Sequence, residues 1–118
     1  MKILIVDDEE LVRKTLGRVA RSRGHEVTEV EDGLKGVDAW KSFCPNLVFL
    51  DVLMPGLSGP QVLKEVKKDD STKVVLMSAY SGEYNLETAQ SIGAELFIQK
   101  PFENIFEVMD QAEGLFHG

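Results

Sequence analysis

With 118 residues, 43% of them apolar and 28% charged, the chain has the size and composition of one compact domain with its own core, which excludes a disordered tail or a collagen-like repeat. Its formal charge of −7, from 13 basic against 20 acidic side chains, argues against a duplex-binding surface, which needs a basic patch to displace counterions, and favours a cationic metal wherever the acids converge. The single cysteine, Cys44, excludes an internal disulfide and a cysteine-built metal cage; neither a signal peptide nor a membrane span is expected, so a cytoplasmic location is the expectation.

Ile3-Leu4-Ile5-Val6 is short, continuous and rich in β-branched residues, the pattern of a strand buried on both faces. Glu9 to Arg23 follows as a helix, with Val12, Leu16, Val19 and Ala20 on one face and Gly24 as its stop. The basic residues from Arg13 to Arg23, and from Lys64 to Lys68, read as the wet faces of helices. Glu26 to Val30 reads as a strand, and Gly33 to Phe43 as a helix closed by Pro45, with Val37 and Trp40 in the core. Leu47-Val48-Phe49-Leu50 is a second fully apolar strand, ending at Asp51.

Met54 to Gly59 is a loop by its proline and glycine content, Ser58 caps the helix that runs on to about Lys68, and Pro60 is tolerated in its first turn. Lys73 to Met77 is a strand ending at Ser78, and Glu83 to Ile92 is a weakly amphipathic helix stopped by Gly93. Glu95 to Ile98 is the last strand, followed by Lys100-Pro101; the last helix carries Ile105, Met109, Ala112 and Phe116 on one stripe. His25 and His117 have no partner pattern and read as surface residues.

Strand and helix alternate about five times, which predicts an α/β fold: a doubly wound five-stranded parallel sheet with helices on both faces. Such sheets bind ligands beyond the carboxyl ends of their strands, where strand order reverses. Asp7, Asp8, Asp51, Ser78 and Lys100 follow successive strands and would share one rim. Singly, each has an ordinary reading: Asp7-Asp8 as a helix cap, Glu9 and Glu10 as first-turn acids, Asp51 and Ser78 as turn caps, Lys100 as a surface lysine. Those readings do not require the shared placement. Converging carboxylates repel and raise one another's pKa unless a cation joins them, and hard oxygen ligands suit Mg²⁺. Lys100 would offer fixed charge, and Ser78 a hydrogen bond, to a phosphoryl group for which Ala79 leaves room. A carboxylate beside the metal can attack phosphorus, with catalysis mostly by positioning and charge neutralisation.

The chain resembles the receiver domains of bacterial response regulators, the family of the chemotaxis regulator. The likeness spans essentially residues 1–118 as one receiver domain of flavodoxin-like fold and rests on Ile3–Glu9, Leu50–Gly59, Met77-Ser78-Ala79, Gly93–Phe97 and Lys100-Pro101-Phe102. It implies that Asp51 is the phosphate acceptor, with Mg²⁺ held by Asp8, Asp51 and the backbone carbonyl of Leu53, and with Asp7 acting through a bound water. It implies that Ser78 and Lys100 contact the phosphoryl group, that Phe97 is the aromatic switch, and that the Lys100–Pro101 bond is cis. Ser78 would be drawn to the phosphate and vacate space for Phe97, changing the surface of the last helices and strand. Leu53 and Tyr80 stand where the family controls phosphate loss, and their bulk points to a long-lived phosphorylated state.

The implied donor is a histidine kinase or histidine phosphotransfer protein, and the implied output is a downstream protein target or effector domain, with homodimerisation on phosphorylation through the last helix as a further expectation. Neither direct nucleic-acid binding nor membrane contact is expected, nor independent turnover of a small molecule. Three alternatives stand beside this reading. An aspartate-nucleophile phosphatase of the haloacid-dehalogenase type would place its acids as Asp-x-Asp after the first strand, whereas Asp7 and Asp8 are adjacent. A flavodoxin-like cofactor binder would hold phosphate in the first βα turn, which here is Asp7-Asp8-Glu9-Glu10. A receiver-shaped interaction module that is never phosphorylated is the third, and with all the matching residues retained nothing in the sequence favours it.

Overall fold

In the computed structural model, which describes residues 1–79 and 85–116, the elements alternate as expected. They are β1 (Lys2–Val6), α1 (Glu10–Ser22), β2 (Glu26–Val30), α2 (Gly33–Phe43), β3 (Leu47–Asp51), α3 (Gly59–Val66), β4 (Lys73–Ser78), α4 (Leu86–Ser91), β5 (Leu96–Gln99) and α5 (Ile105–Gly114). All strands pair in parallel, in the order β2-β1-β3-β4-β5. The order reverses between β1 and β3, so the crevice for a ligand opens where Asp7 and Asp51 end their strands.

The apolar strands are buried on both faces because successive side chains point to opposite sides of the sheet. Leu4, Val6, Val48, Leu50, Val74 and Leu76 form one core with Val37 and Trp40 of α2 and with Val62 and Leu63 of α3. Ile3, Ile5, Leu47, Phe49, Val75 and Met77 form the other with Leu16, Val19 and Ala20 of α1 and Val108, Met109 and Ala112 of α5. Each fully buried aliphatic or aromatic side chain contributes about 1.5–3 kcal/mol. Two packed cores therefore fix the sheet, and with it the relative heights of the strand ends.

Helix boundaries follow local chemistry. The Ser58 side chain accepts from the Gln61 N–H while Gln61 reaches back to the Ser58 N–H, a reciprocal cap that starts α3 with Pro60 in its first turn. Asn85 and Thr88 make the same arrangement at α4, which begins at Leu86; the expected helix start at Glu83 lies outside the described residues, as do Tyr80, Tyr84 and His117. Gly24 and Gly93 stop their helices with φ of 87° and 101°. The Lys100–Pro101 bond is cis.

Two expectations need correction. Phe116 does not continue the apolar stripe of the last helix: α5 ends at Gly114, Leu115 turns back onto the α1/α5 core, and Phe116 is exposed. His25 is not a bare surface residue, because its Nε2 lies 2.7 Å from the Glu113 Oε2 on α5 and its side chain is 11% exposed. That contact pairs residues 88 positions apart and leaves no local sequence pattern.

Candidate functional site

Strand register brings the site together. Val6 pairs with Leu50, so Asp7 follows β1 beside Asp51 at the end of β3. Asp51 pairs with Met77, which puts Ser78 one step further along β4. Ser78 pairs with Gln99, and the Lys100 N–H donates to the Ser78 carbonyl at 2.8 Å. Four βα junctions thus deliver Asp7, Asp8, Asp51, Ser78 and Lys100 to one rim. A cleft of about 200 Å³ is lined there by Asp8, Glu9, Asp51, Leu53, Ser78, Ala79 and Lys100.

Asp7 is fully buried: its Oδ1 accepts the Glu9 N–H at 2.8 Å, its Oδ2 accepts from the Lys100 Nζ at 3.0 Å, and its carbonyl accepts from the Arg13 guanidinium at 2.9 Å. Burial raises its carboxyl above the ordinary value, against the pull of these bonds. Asp51 is 4% exposed; burial first, then the charge of Asp7, pushes its pKa up to about 7, and Lys100 opposes the shift. Lys100 is buried too, and burial works against its ammonium, but hydrogen bonds to Glu9 and Asp7 and the Asp51 charge hold its pKa above the usual lysine value. Asp8 is exposed at the mouth, Ser78 is buried, and Leu53 is 53% exposed beside the cleft. Phe97 is half-buried against the core that carries α2 and α3.

Carboxylate oxygens of Asp7, Asp8 and Asp51 all lie within 4.8 Å of one another. Three acids at that spacing, one of them raised to about 7, fit a hard divalent cation, which would relieve the mutual repulsion that Lys100 opposes only in part. Every residue singled out from the sequence for this rim is found on it, and Phe97 lies three residues before Lys100 on β5, paired with Leu76.

Sequence reasoning missed three contributors. Glu9, expected to be a first-turn acid, stands at the N-cap of α1 without capping it and pairs with the Lys100 Nζ at 2.6 Å. Arg13 ties the Asp7 carbonyl to α1 rather than lying wholly in water. Gly59 has no room for a side chain, because a Cβ there would stand 2.5 Å from the Asp51 carbonyl oxygen. The signal for Glu9 was its adjacency to Asp7-Asp8; Arg13 and Gly59 act through backbone contacts that only the folded arrangement displays.

This geometry has known counterparts. The family model of the response regulator receiver domain matches residues 3–110, and the chain belongs to that family, whose general function is phosphorylation on an aspartate. It is 34% identical over 110 residues to the sporulation initiation phosphotransferase F of Bacillus subtilis, covering 92% of this chain and 88% of that protein. It is 41% identical over 102 residues to the uncharacterized transcriptional regulatory protein YkoG of Bacillus subtilis, covering 86% of this chain but 45% of that relative's length. Among solved structures, the response regulator TrrA of Thermotoga maritima, in complex with Mg²⁺-BeF, is 32% identical with a TM-score of 0.83, and 98% of each chain is covered. Receiver domains generally bind Mg²⁺ at an acidic pocket, and the Asp7, Asp8 and Asp51 cluster fits that role. Among the described residues no helix is long and apolar enough to cross a membrane.

Proposed function

We propose that Asp51 accepts a phosphoryl group from a phosphohistidine donor and that the resulting charge switches a protein-interaction surface. One observation carries this reading: the Asp51 carboxylate is buried at the point where strand order reverses, with acids on one side and the Lys100 ammonium 3.4 Å away. An Asp51 oxygen forms the new O–P bond as the P–N bond to the donor imidazole breaks, and the imidazole leaves with that electron pair and takes up a proton. Asp8, Asp51 and the Leu53 carbonyl would hold Mg²⁺ directly and Asp7 through a water. The metal would supply neutralisation of the charge on the transferring group.

Ser78 and Lys100 receive the phosphoryl oxygens in this reading. Up to two added charges and three acceptor oxygens draw Ser78 inward, and half-buried Phe97 moves into the space released. Because Phe97 belongs to β5, that movement alters the face formed by α4, β5 and α5. The donor is a histidine kinase or phosphotransfer protein and the recipient a protein target or an effector domain, in the cytoplasm. Homodimerisation on phosphorylation uses the same face.

Intact-mass measurement after incubation with acetyl phosphate tests the assignment. Wild type with Mg²⁺ gains the mass of one phosphoryl group, while wild type without Mg²⁺ and Asp51→Asn with Mg²⁺ do not. Equal labelling of Asp51→Asn would refute the assignment.

A further inference from the structure

We propose that Glu9 competes with the incoming phosphoryl group for the Lys100 ammonium and thereby restrains phosphorylation; this rests on the assignment of Asp51 as the acceptor. An ammonium carries three N–H donors and no more. Three carboxylates stand around the Lys100 Nζ: Glu9 Oε1 at 2.6 Å, Asp7 Oδ2 at 3.0 Å and Asp51 Oδ1 at 3.4 Å. Glu9 and Asp7 accept hydrogen bonds from it and Asp51 holds an ion-pair contact, so the ammonium is engaged by carboxylates before any phosphate arrives. For Lys100 to turn more than one donor to phosphoryl oxygens, at least one of these contacts has to be given up.

The three differ in what giving up costs. Asp7 is fully buried and fixed a second time by the Glu9 N–H, so its withdrawal would strand a charge without water. Asp51 is the group under attack and stays at the centre of the reaction. Glu9 is long, and its side chain is 57% exposed, so it moves into solvent with its charge still hydrated. Although Glu9 occupies the N-cap of α1, its side chain makes no capping bond. Its side-chain bond to Lys100 is also the shortest of the three. The geometry makes Glu9 the contact that yields: it holds the ammonium until a group of greater charge displaces it.

With acetyl phosphate as donor, an Asp51 oxygen forms the O–P bond as the P–O bond to acetate breaks, acetate leaves with the electron pair, and Lys100 transfers from Glu9 to the phosphoryl oxygens. Glu9 is thus a positioning residue that acts through Lys100. A shorter carboxylate keeps the local charge but loses the reach, which separates competition for Lys100 from plain repulsion of an anionic donor.

The test measures initial rates of phosphoprotein formation from acetyl phosphate at saturating Mg²⁺ for wild type, Glu9→Gln, Glu9→Asp and the neighbouring-charge control Glu10→Gln, with Mg²⁺ affinity and thermal melting recorded for each. Glu9→Gln and Glu9→Asp should both be about two- to five-fold faster than wild type, the factor a partly exposed ion pair carries, with Mg²⁺ affinity and Glu10→Gln unchanged. Acceleration in Glu9→Gln with a wild-type rate in Glu9→Asp would overturn the proposal in favour of charge repulsion. Equal or slower rates in both Glu9 variants would overturn it while wild-type labelling at Asp51 left the acceptor assignment standing. Absence of labelling in wild type would remove that assignment and this proposal together.

Discussion

Gly59 packs directly beneath Asp51: a Cβ on the glycine would lie 2.5 Å from the Asp51 carbonyl oxygen and 3.2 Å from its carbonyl carbon, while the Gly59 N–H donates to the Val52 carbonyl at 2.9 Å. The start of α3 is therefore pressed against the Asp51 backbone. The close neighbours are main chain, which cannot rotate away as a side chain would. Gly59→Ala should destabilise the fold by about 1–3 kcal/mol, the usual cost of overpacking, and should lower Asp51 phosphorylation even where the protein stays folded. Urea unfolding beside acetyl phosphate labelling reads both effects; unchanged labelling in folded Gly59→Ala would show that Asp51 keeps its place without this contact.

Stability should fall with rising pH because of Asp51. Its pKa is pushed from 3.8 up to about 7 by burial and by the Asp7 charge, so the folded state binds a proton that the unfolded chain has already released. A raised carboxyl contributes its full stability below the unfolded value and loses it as pH climbs through the folded one. The loss runs from about pH 4 to about pH 7 and then levels off. Asp51→Asn removes the titration and should be more stable than wild type at pH 8 by an amount on the order of 2 kcal/mol, with the gap closing towards pH 4. Chemical unfolding across that range without Mg²⁺ gives the comparison; parallel curves would contradict the burial argument.

Mg²⁺ should stabilise the domain through the same acids. A cation that binds only the folded state raises the unfolding free energy by mass action. Wild type at pH 8 should melt several degrees higher with excess Mg²⁺, and chelation should reverse the gain. Asp8→Asn should lose the response at little cost to the metal-free fold, because Asp8 is exposed and outside both cores. A full Mg²⁺ response in Asp8→Asn would displace it from the ligand set.

Leu53 is expected to affect how long the phosphoryl group lasts. It lines the cleft and is 53% exposed, so its bulk should hinder approach of a hydrolytic water. Leu53→Asn should shorten the lifetime of the phosphorylated domain several-fold, followed as loss of the phosphoryl mass after donor removal. An unaltered decay would place control of hydrolysis elsewhere.

How legible all this was depends on how locally each feature is encoded. The strands declared themselves because Ile3 to Val6, Leu47 to Leu50 and Val74 to Met77 are apolar at every position, as burial on two faces demands. Asp7, Asp51, Ser78 and Lys100 could be found because a parallel sheet puts all strand ends on one side, which turns sequence order into proximity. The same logic could not show that Glu9 reaches Lys100, since that depends on side-chain length and direction across the cleft. Nor could it show that His25 meets Glu113, which is set by how α5 docks on α1. Phe116 misled because helical spacing continues in the sequence beyond the point where the chain leaves the helix at Leu115.

The most direct measurement is localisation of the phosphoryl group after acetyl phosphate treatment, by borohydride reduction of the acyl phosphate followed by peptide sequencing in the mass spectrometer. Modification confined to Asp51, dependent on Mg²⁺ and weakened in Lys100→Ala, is the result this account predicts. Modification of Asp7 or Asp8 in place of Asp51, or labelling indifferent to both Mg²⁺ and Lys100, would contradict it.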